Sequence, residues 1–376
     1  MEKKLVNWTN MMNLSPEVFV QTEDYFIELI SRSLACGIGN NKYGLLPPSQ
    51  IKESSSDIRI QEKITGQVEI CLQKCNALTR GGYLIGFEPS PEEYIVKNCS
   101  LEKGRTGRNN IWNIILSFNP SLRIPTGIPD IDEDPPRHPD VVPSISLSVL
   151  AENEINSSKL SPQQLIIGKI LEEGEQYRID TDYIPPSICM AAHPLLLSYY
   201  NQFVLLLDDL EKASKDIVAK VRNKDKPSGL ALNIEAVCHE LMRYISNIYF
   251  SFRNNGMYWN PSETLNCFAG LAHLYYVCLH FISVKEREEM LNYFCEWEEI
   301  TPGSFEGFIS KILELQYDHN NISLMMEPVH GFLSMLTQLW TKLSQLEFIG
   351  QHKDNLIVSD KRLNKDNMSK SKWTVL

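Results

Sequence analysis

The chain of 376 residues carries 47 acidic against 36 basic side chains, a net charge of -11, with 43% hydrophobic and 22% charged content. This is ordinary globular composition with room for two or three domains, which excludes a largely disordered chain. The negative field sets it against non-specific contact with nucleic acid or an anionic membrane surface.

Nine cysteines, an odd number without a repeated spacing, imply free thiols in a reducing compartment. The segment Met1 to Trp8 begins basic but has no apolar region behind it, so no signal peptide is expected. No run approaches the roughly 20 apolar residues of a spanning helix. The expectation is a cytoplasmic protein without direct membrane insertion.

In chain order, Ser15 and Pro16 read as the cap and first residue of a short helix ending near Gly37 to Gly39, with Phe19, Tyr25, Phe26 and Leu29 offering apolar contacts. Short strands follow. Val68, Ile70 and Leu72 alternate with polar neighbours, as do Trp112, Ile114, Leu116 and Phe118, then Ile145, Leu147 and Val149. The period of two places one face in a core and the other in water, and Gly and Pro signals between the runs predict an antiparallel β-sandwich. Ser121 to Pro143 holds six prolines, at 125, 129, 135, 136, 139 and 143. Such a segment cannot feed a central ladder, so an extended surface loop, a natural contact arm, is expected.

Fifteen of the twenty prolines lie at or before Pro186, and Tyr183-Ile184-Pro185-Pro186 reads as a stiff joint between a β half and an α half. Beyond it, helices are predicted on Leu196 to Val221, Ile234 to Phe252, Leu265 to Ile282 and Met325 to Leu346. Two shorter ones, broken at Thr301-Pro302-Gly303, fit between Lys285 and Leu315. Asn260-Pro261-Ser262-Glu263 is a well-formed helix start, while Pro328 should kink the last helix or mark its start. Burying these stripes, at about 1.5–3 kcal/mol for each large side chain, favours an antiparallel bundle. The fold class is therefore α+β, with a sandwich and leading helix over 1–186, a helical bundle over 187–349 and a polar tail over 350–376.

Catalytic constellations are hard to find. Gly104-Arg105-Thr106-Gly107-Arg108 lacks the spacing and ending of a phosphate loop and reads as a hairpin turn. Cys71 and Cys75 have no second pair beside them. His239-Glu240 begins like a metalloprotease helix, but Arg243 stands where a second histidine would ligate, and His273 and His280 share a face without a carboxylate. No catalytic residue, metal or cofactor is expected; a helical metal enzyme using Cys71, Cys75, His239 or His319 would lack a complete ligand spacing. Tyr317-Asp318-His319 precedes the last helix, where its simplest role is to cap and orient it.

Several of these segments together resemble one family, the TssK-type baseplate proteins of bacterial type VI secretion. Val6-Asn7-Trp8 through Met11-Met12-Asn13-Leu14-Ser15-Pro16 and Phe19 is similar to the family's amino-terminal pattern, with Asn10 and Met11 where an acidic residue and a glycine are usual. Tyr43-Gly44-Leu45, Tyr183-Ile184-Pro185-Pro186, Asn260-Pro261 with Ala269-Gly270-Leu271-Ala272, and Tyr317-Asp318-His319 with Met326-Glu327-Pro328-Val329 follow in order. The resemblance covers roughly residues 5 to 346. It implies a structural adaptor, not an enzyme: a homotrimer whose sandwich, like the shoulder of phage receptor-binding proteins, meets the wedge proteins TssF and TssG. It would work at the inner face of the cytoplasmic membrane.

The family's membrane-facing head domain has no counterpart in the sequence after Ile349, so the envelope docking complex would be reached through another subunit or through the tail, with Trp373, Val375 and Leu376. A baseplate or tail protein of another contractile injection machine is the alternative. Trp8, Met12, Leu14 and Phe19 are candidates for partner contact or for sandwich-edge packing. Arg123, Ile124, Pro125, Pro136 and Arg137 are candidates for an exposed contact whose prolines lower the entropy lost on docking. Tyr183, Pro185, Pro186, Tyr317, Asp318 and His319 are assigned structural roles, and Tyr249, Phe250, Tyr258 and Trp259 are candidates for a trimer interface.

Overall fold

A computed structural model describes residues 4–49, 54–63, 67–87, 94–101, 111–155, 160–174, 176–298 and 301–353. The turn expected at Gly104 to Arg108 and the tail residues Trp373, Val375 and Leu376 lie outside the described residues. The chain forms two compact units. One comprises Met1–Ser198 with Met257–Ser262 and Tyr317–Ser323; the other comprises Tyr199–Gly256, Glu263–Gln316 and Leu324–Leu376.

The first unit opens with helix α1 (Pro16–Ile38), 23 residues long, within the bounds expected from Pro16 and Gly37 to Gly39. Ser15 occupies its cap position in an extended conformation but its hydroxyl makes no capping bond. Among the described residues nine strands follow: β1 (Gly44–Leu45), β2 (Ser56–Glu62), β3 (Val68–Leu78), β4 (Leu84–Phe87), β5 (Ile95–Cys99), β6 (Ile111–Thr126), β7 (Asp140–Ala151), β8 (Gln164–Glu173) and β9 (Gln176–Ile179). All ladders among them are antiparallel. In the first sheet β3 is the hub, with β2 and β1 along one edge and β5 and β4 along the other. The second sheet runs β7-β6-β8-β9.

Both sheets contribute to one core. Val68, Ile70, Leu72, Cys75 and Ala77 from β3 meet Trp112, Ile114, Leu116 and Phe118 from β6 and Leu165, Ile167 and Ile170 from β8, which is the sandwich expected from the alternation. The change of parity between Leu72 and Cys75 has a local cause. Ser56 and Asp57 pair with Cys75 and Lys74, whereas Ile58 pairs with Leu72. Gln73 is thus an extra residue, a bulge that returns Cys75 and Ala77 to the core face.

Two expectations need correction. The outer face of β6 is not all in water: Asn113 and Ile115 are buried, and Ile115 packs with Ile166 and Tyr183 in a second, small apolar cluster. Alternation shows which side chains share a face, but not whether a later segment covers the opposite one. The proline-rich arm is also not a plain loop. Beyond an irregularity at Asn119–Arg123, β6 and β7 continue as a two-stranded ribbon pairing Arg123 with Pro143, Ile124 with Val142, Pro125 with Val141 and Thr126 with Asp140. Pro143 and Pro125 sit two registers apart, so both take the class of pair whose N–H points out of the ladder. A ribbon with open outer edges tolerates them there.

The joint is built against β1. Ser187 pairs in parallel with Leu45; Leu45 N donates to Pro186 O at 2.7 Å, and Ile188 N to Leu45 O at 3.0 Å. Gly44 has a φ of 110°, and a Cβ there would lie 1.9 Å from Pro186 O.

The second unit is helical, drawing on α2 (Pro194–Arg222), α3 (Gly229–Asn255), α4 (Pro261–His280), α5 (Val284–Trp297), α6 (Pro302–Leu313) and α7 (Ile322–Gln345). Ser228 and Thr301 accept bonds from the first turns of α3 and α6, and Ser283 with Glu286 forms a capping box on α5. Pro328 does not start α7, which begins six residues earlier. An aromatic core fills this unit: Phe203 stacks on Phe268 at 4.2 Å, and Tyr275 meets Trp340 edge-on at 5.7 Å.

Because Gly44 combines a left-handed φ with a backbone neighbour where its side chain would be, Gly44→Ala should destabilise the chain by about 3 kcal/mol or more. Urea unfolding should show the midpoint fall. A midpoint within error of the parent would mean that the joint does not need this approach.

Candidate protein-docking surface

The reactive-looking residues are quiet where the structure places them. Cys75 is buried and burial pushes its thiol up to about 12, while Cys71 beside it on β3 is raised in the same direction by burial. His239 lies on α3 with Glu235 at 3.3 Å and the Arg222 guanidinium at 3.0 Å. Among the described residues no group of three His, Cys, Asp or Glu side chains is disposed to hold a metal ion.

The unusual surface is apolar and belongs to the amino-terminal segment and α1. Trp8, Leu14 and Phe19 are exposed, at 54%, 64% and 52%, and Met12 is half-buried. The Trp8 and Phe19 rings lie 6.5 Å apart. Along α1, Phe26, Ile27, Leu29, Ile30 and Leu34 are exposed as well, while the buried residues are Ser31 and Ile38. Its buried and half-buried positions are Val18, Thr22, Asp24, Tyr25, Glu28, Ser31, Ala35 and Ile38, and Ile27 borders a groove beside the sandwich. Most of the large apolar side chains of the helix are thus left exposed. Phe26 and Leu29 therefore do not make the packing contacts expected of them. Sequence reasoning missed Ile27, Ile30 and Leu34, although the spacing of Val20, Ile27 and Leu34 at sevens, with Ile30 between, was a usable signal.

The arm lies beside this helix. Arg123 donates to Glu23 Oε2 at 2.5 Å and to Asp24 Oδ1 at 2.9 Å, both on α1. Ile124, Pro125 and Pro136 are exposed. Arg137 makes a forked pair with Glu133, at 2.8 and 3.1 Å, and Asp130 N donates to Arg137 O. These bonds order the tip, which holds Ile128 and Ile131 out at 90% and 84% exposure.

Behind this surface, polar groups of the first unit converge on β1 and the joint. His319 is buried; its Nε2–H donates to Tyr43 O at 2.8 Å, which leaves Nδ1 to accept from the Tyr317 hydroxyl at 2.6 Å. Asp318 accepts from Asn320 N at 3.0 Å and from Asn321 Nδ2 at 2.7 Å, closing the turn before α7. Asn260 does more than cap α4: its Oδ1 accepts from Ser262 N at 2.9 Å while its Nδ2 donates to Asn41 O and Ile188 O. Lys169, nearly buried, donates to Glu152 at 2.8 Å and Asn321 at 3.2 Å, with Nζ 5.0 Å from the Tyr183 ring centre. Pro185 and Pro186 supply carbonyls to the Ser187 hydroxyl and to Leu45 N. Tyr249, with Phe250 in the second unit, and Tyr258, with Trp259 in the first, are half-buried to exposed residues.

No family model and no curated protein matches the sequence. Solved structures do match the fold. The crystal structure of TssK aligns over 88% of this chain and 68% of its own, at 16% identity and a TM-score of 0.53. TssK from the type VI secretion system of EAEC, in complex with nanobody nb18, aligns over 86% and 69%, at 15% identity and a TM-score of 0.50. A chain of the baseplate complex from the type VI secretion system aligns over 90% of this chain and 100% of its own, at 14% identity and a TM-score of 0.52. The chain thus has a TssK-like α+β fold.

Burial holds His319 neutral down to about 4, against the opposing pull of the Tyr43 carbonyl and the Asp318 charge. The unfolded chain binds that proton near 6.5, so between these values unfolding takes up a proton and stability falls as the pH drops. The loss from His319 should be on the order of 3 kcal/mol across the window, and His193, lowered to about 4 by burial, acts in the same direction. Urea unfolding at about pH 7.5 and about pH 5 should reveal this slope, and His319→Gln should remove part of it. An unchanged slope in that variant would contradict the neutral buried ring.

Proposed function

We propose that the chain is a structural adaptor of a type VI secretion baseplate, acting as a homotrimer that joins the wedge proteins TssF and TssG to the cell-envelope docking complex. One observation carries this reading. Landmarks that suggested the family from sequence, Tyr43-Gly44-Leu45, Tyr183 to Pro186, Asn260 and Tyr317 to His319, are far apart in the chain but meet around one two-residue strand. Short motifs that matched by chance would have no reason to bond to one another. The TssK-like fold and the alignment over 90% of the chain with a baseplate-complex component support the same reading.

On this proposal the wedge partner covers the outward face of α1 and the arm, with Trp8, Leu14, Phe19, Ile124, Pro125, Pro136 and Arg137 among the contacts. Met12 lies at the margin, and Arg123 holds the two parts together. Exposed aromatic and aliphatic side chains of this density suit a partner-covered surface better than open water. The assembled site would be the cytoplasmic face of the inner membrane.

Size exclusion with light scattering should give about three times 43.1 kDa for the isolated chain, increasing when TssF and TssG are co-expressed. Phe26→Asp with Ile30→Asp should abolish that increase while shifting unfolding stability by only about 0.5 kcal/mol, since both side chains are exposed. A monomer that ignores both wedge proteins would overturn the proposal.

A further inference from the structure

We propose that Arg123 is a latch holding α1 to the sandwich, and that the first two-thirds of the helix comes away when the latch opens. The helix is attached unevenly. At its carboxy-terminal end Ile38 enters the sandwich core, and the backbone of Ser31 lies so close to Gly82 that a Cβ there would fall 2.1 Å from Ser31 O. Gly82, with a φ of 81°, permits an approach that another residue would block. From Pro16 to Ile30 no residue of the helix is buried.

The groove-facing side of that stretch supplies little apolar contact: Ile27 borders the groove, but beside it stand Gln21, Asp24 and Glu28, and Glu28 pairs with Arg32 at 2.7 Å along the helix. The groove between helix and sandwich is open, about 1210 Å³ in volume, and lined on the sandwich side by Tyr83, Asn119 and Gln163. Across it, the arm sends Arg123 to both Glu23 and Asp24. The Arg123 side chain is 22% exposed and that of Asp24 16%, so the double pair is better shielded than most surface pairs yet still open to screening by salt.

Release has a measurable consequence. A detached segment of about 15 residues, rich in aromatic and β-branched side chains, is a marginal helix in water, so its amides would lose protection. The latch thereby sets whether the exposed apolar side chains are offered on an ordered helix. This concerns the surface assigned to partner binding above, but it needs no partner, so failure of one leaves the other standing.

Hydrogen exchange of the full chain, read by mass spectrometry, tests it. Arg123→Gln should speed exchange over Pro16 to Ile30 by about three- to tenfold, with β6 and β8 unchanged. Raising the salt should do the same to the parent chain but add little to the variant. The charge-swapped pair Arg123→Glu with Asp24→Arg should restore protection. Unchanged exchange in Arg123→Gln, an equal rise across β6 and β8, or no recovery in the swapped chain would each overturn the latch.

Discussion

The first unit depends on what the two residues of β1 can bond to. Gly44 and Leu45 have β3 along one edge and the chain at Pro186 to Ile188 along the other, so a strand too short to be stable alone is held on both sides. The Tyr43 carbonyl just before it takes the His319 ring, and Leu45 is fully buried. Buried backbone groups must be paired, and here the pairing comes from segments early, midway and late in the chain. The absence of a Cβ at Gly44 permits all of it, because any side chain would occupy the position of the Pro186 carbonyl.

The exposed apolar side chains of α1 follow a different logic. Helices of globular proteins bury an apolar stripe and expose a polar one. In α1 only Ser31 and Ile38 are buried, and Phe19, Phe26, Ile27, Leu29, Ile30 and Leu34 are all exposed. Folding gains little from such a helix; on the role proposed above, its cost would be recovered on binding. The Arg137–Glu133 fork ties the tip of the arm beside it, which would limit the freedom lost on docking.

Local periodicity made much of the fold legible. The alternation at Val68 to Leu72 and at Trp112 to Phe118 identified core strands, and Asn260 and Thr301 marked helix starts that the structure keeps. What it could not carry was coverage and distance. Ile115 looked solvent-facing because Tyr183, which covers it, comes 68 residues later. The arm looked like a loop because prolines were judged against a central ladder, whereas a ribbon asks for N–H donors at alternate positions only. His319 resembled a helix cap by its place before α7, yet its bond reaches 276 residues back to Tyr43. For α1 the heptad spacing was visible, but nothing in the local pattern says which face meets the sandwich.

The distribution of polar chemistry in the described residues points the same way as the surface. His319 uses both ring nitrogens internally, Asn260 uses both ends of its amide, and Lys169 divides its ammonium among a carboxylate, an amide and an aromatic face. Groups bonded in this way are fixed in geometry and have little capacity left for a substrate. Burial raises the Cys75 thiol to about 12, away from the thiolate that nucleophilic chemistry would use. Buried polar groups of this unit hold segments in register, while apolar side chains of α1 and the arm tip stay exposed. Such an arrangement is rigid where it is bonded and exposed where it is apolar, which suits the adaptor role proposed above.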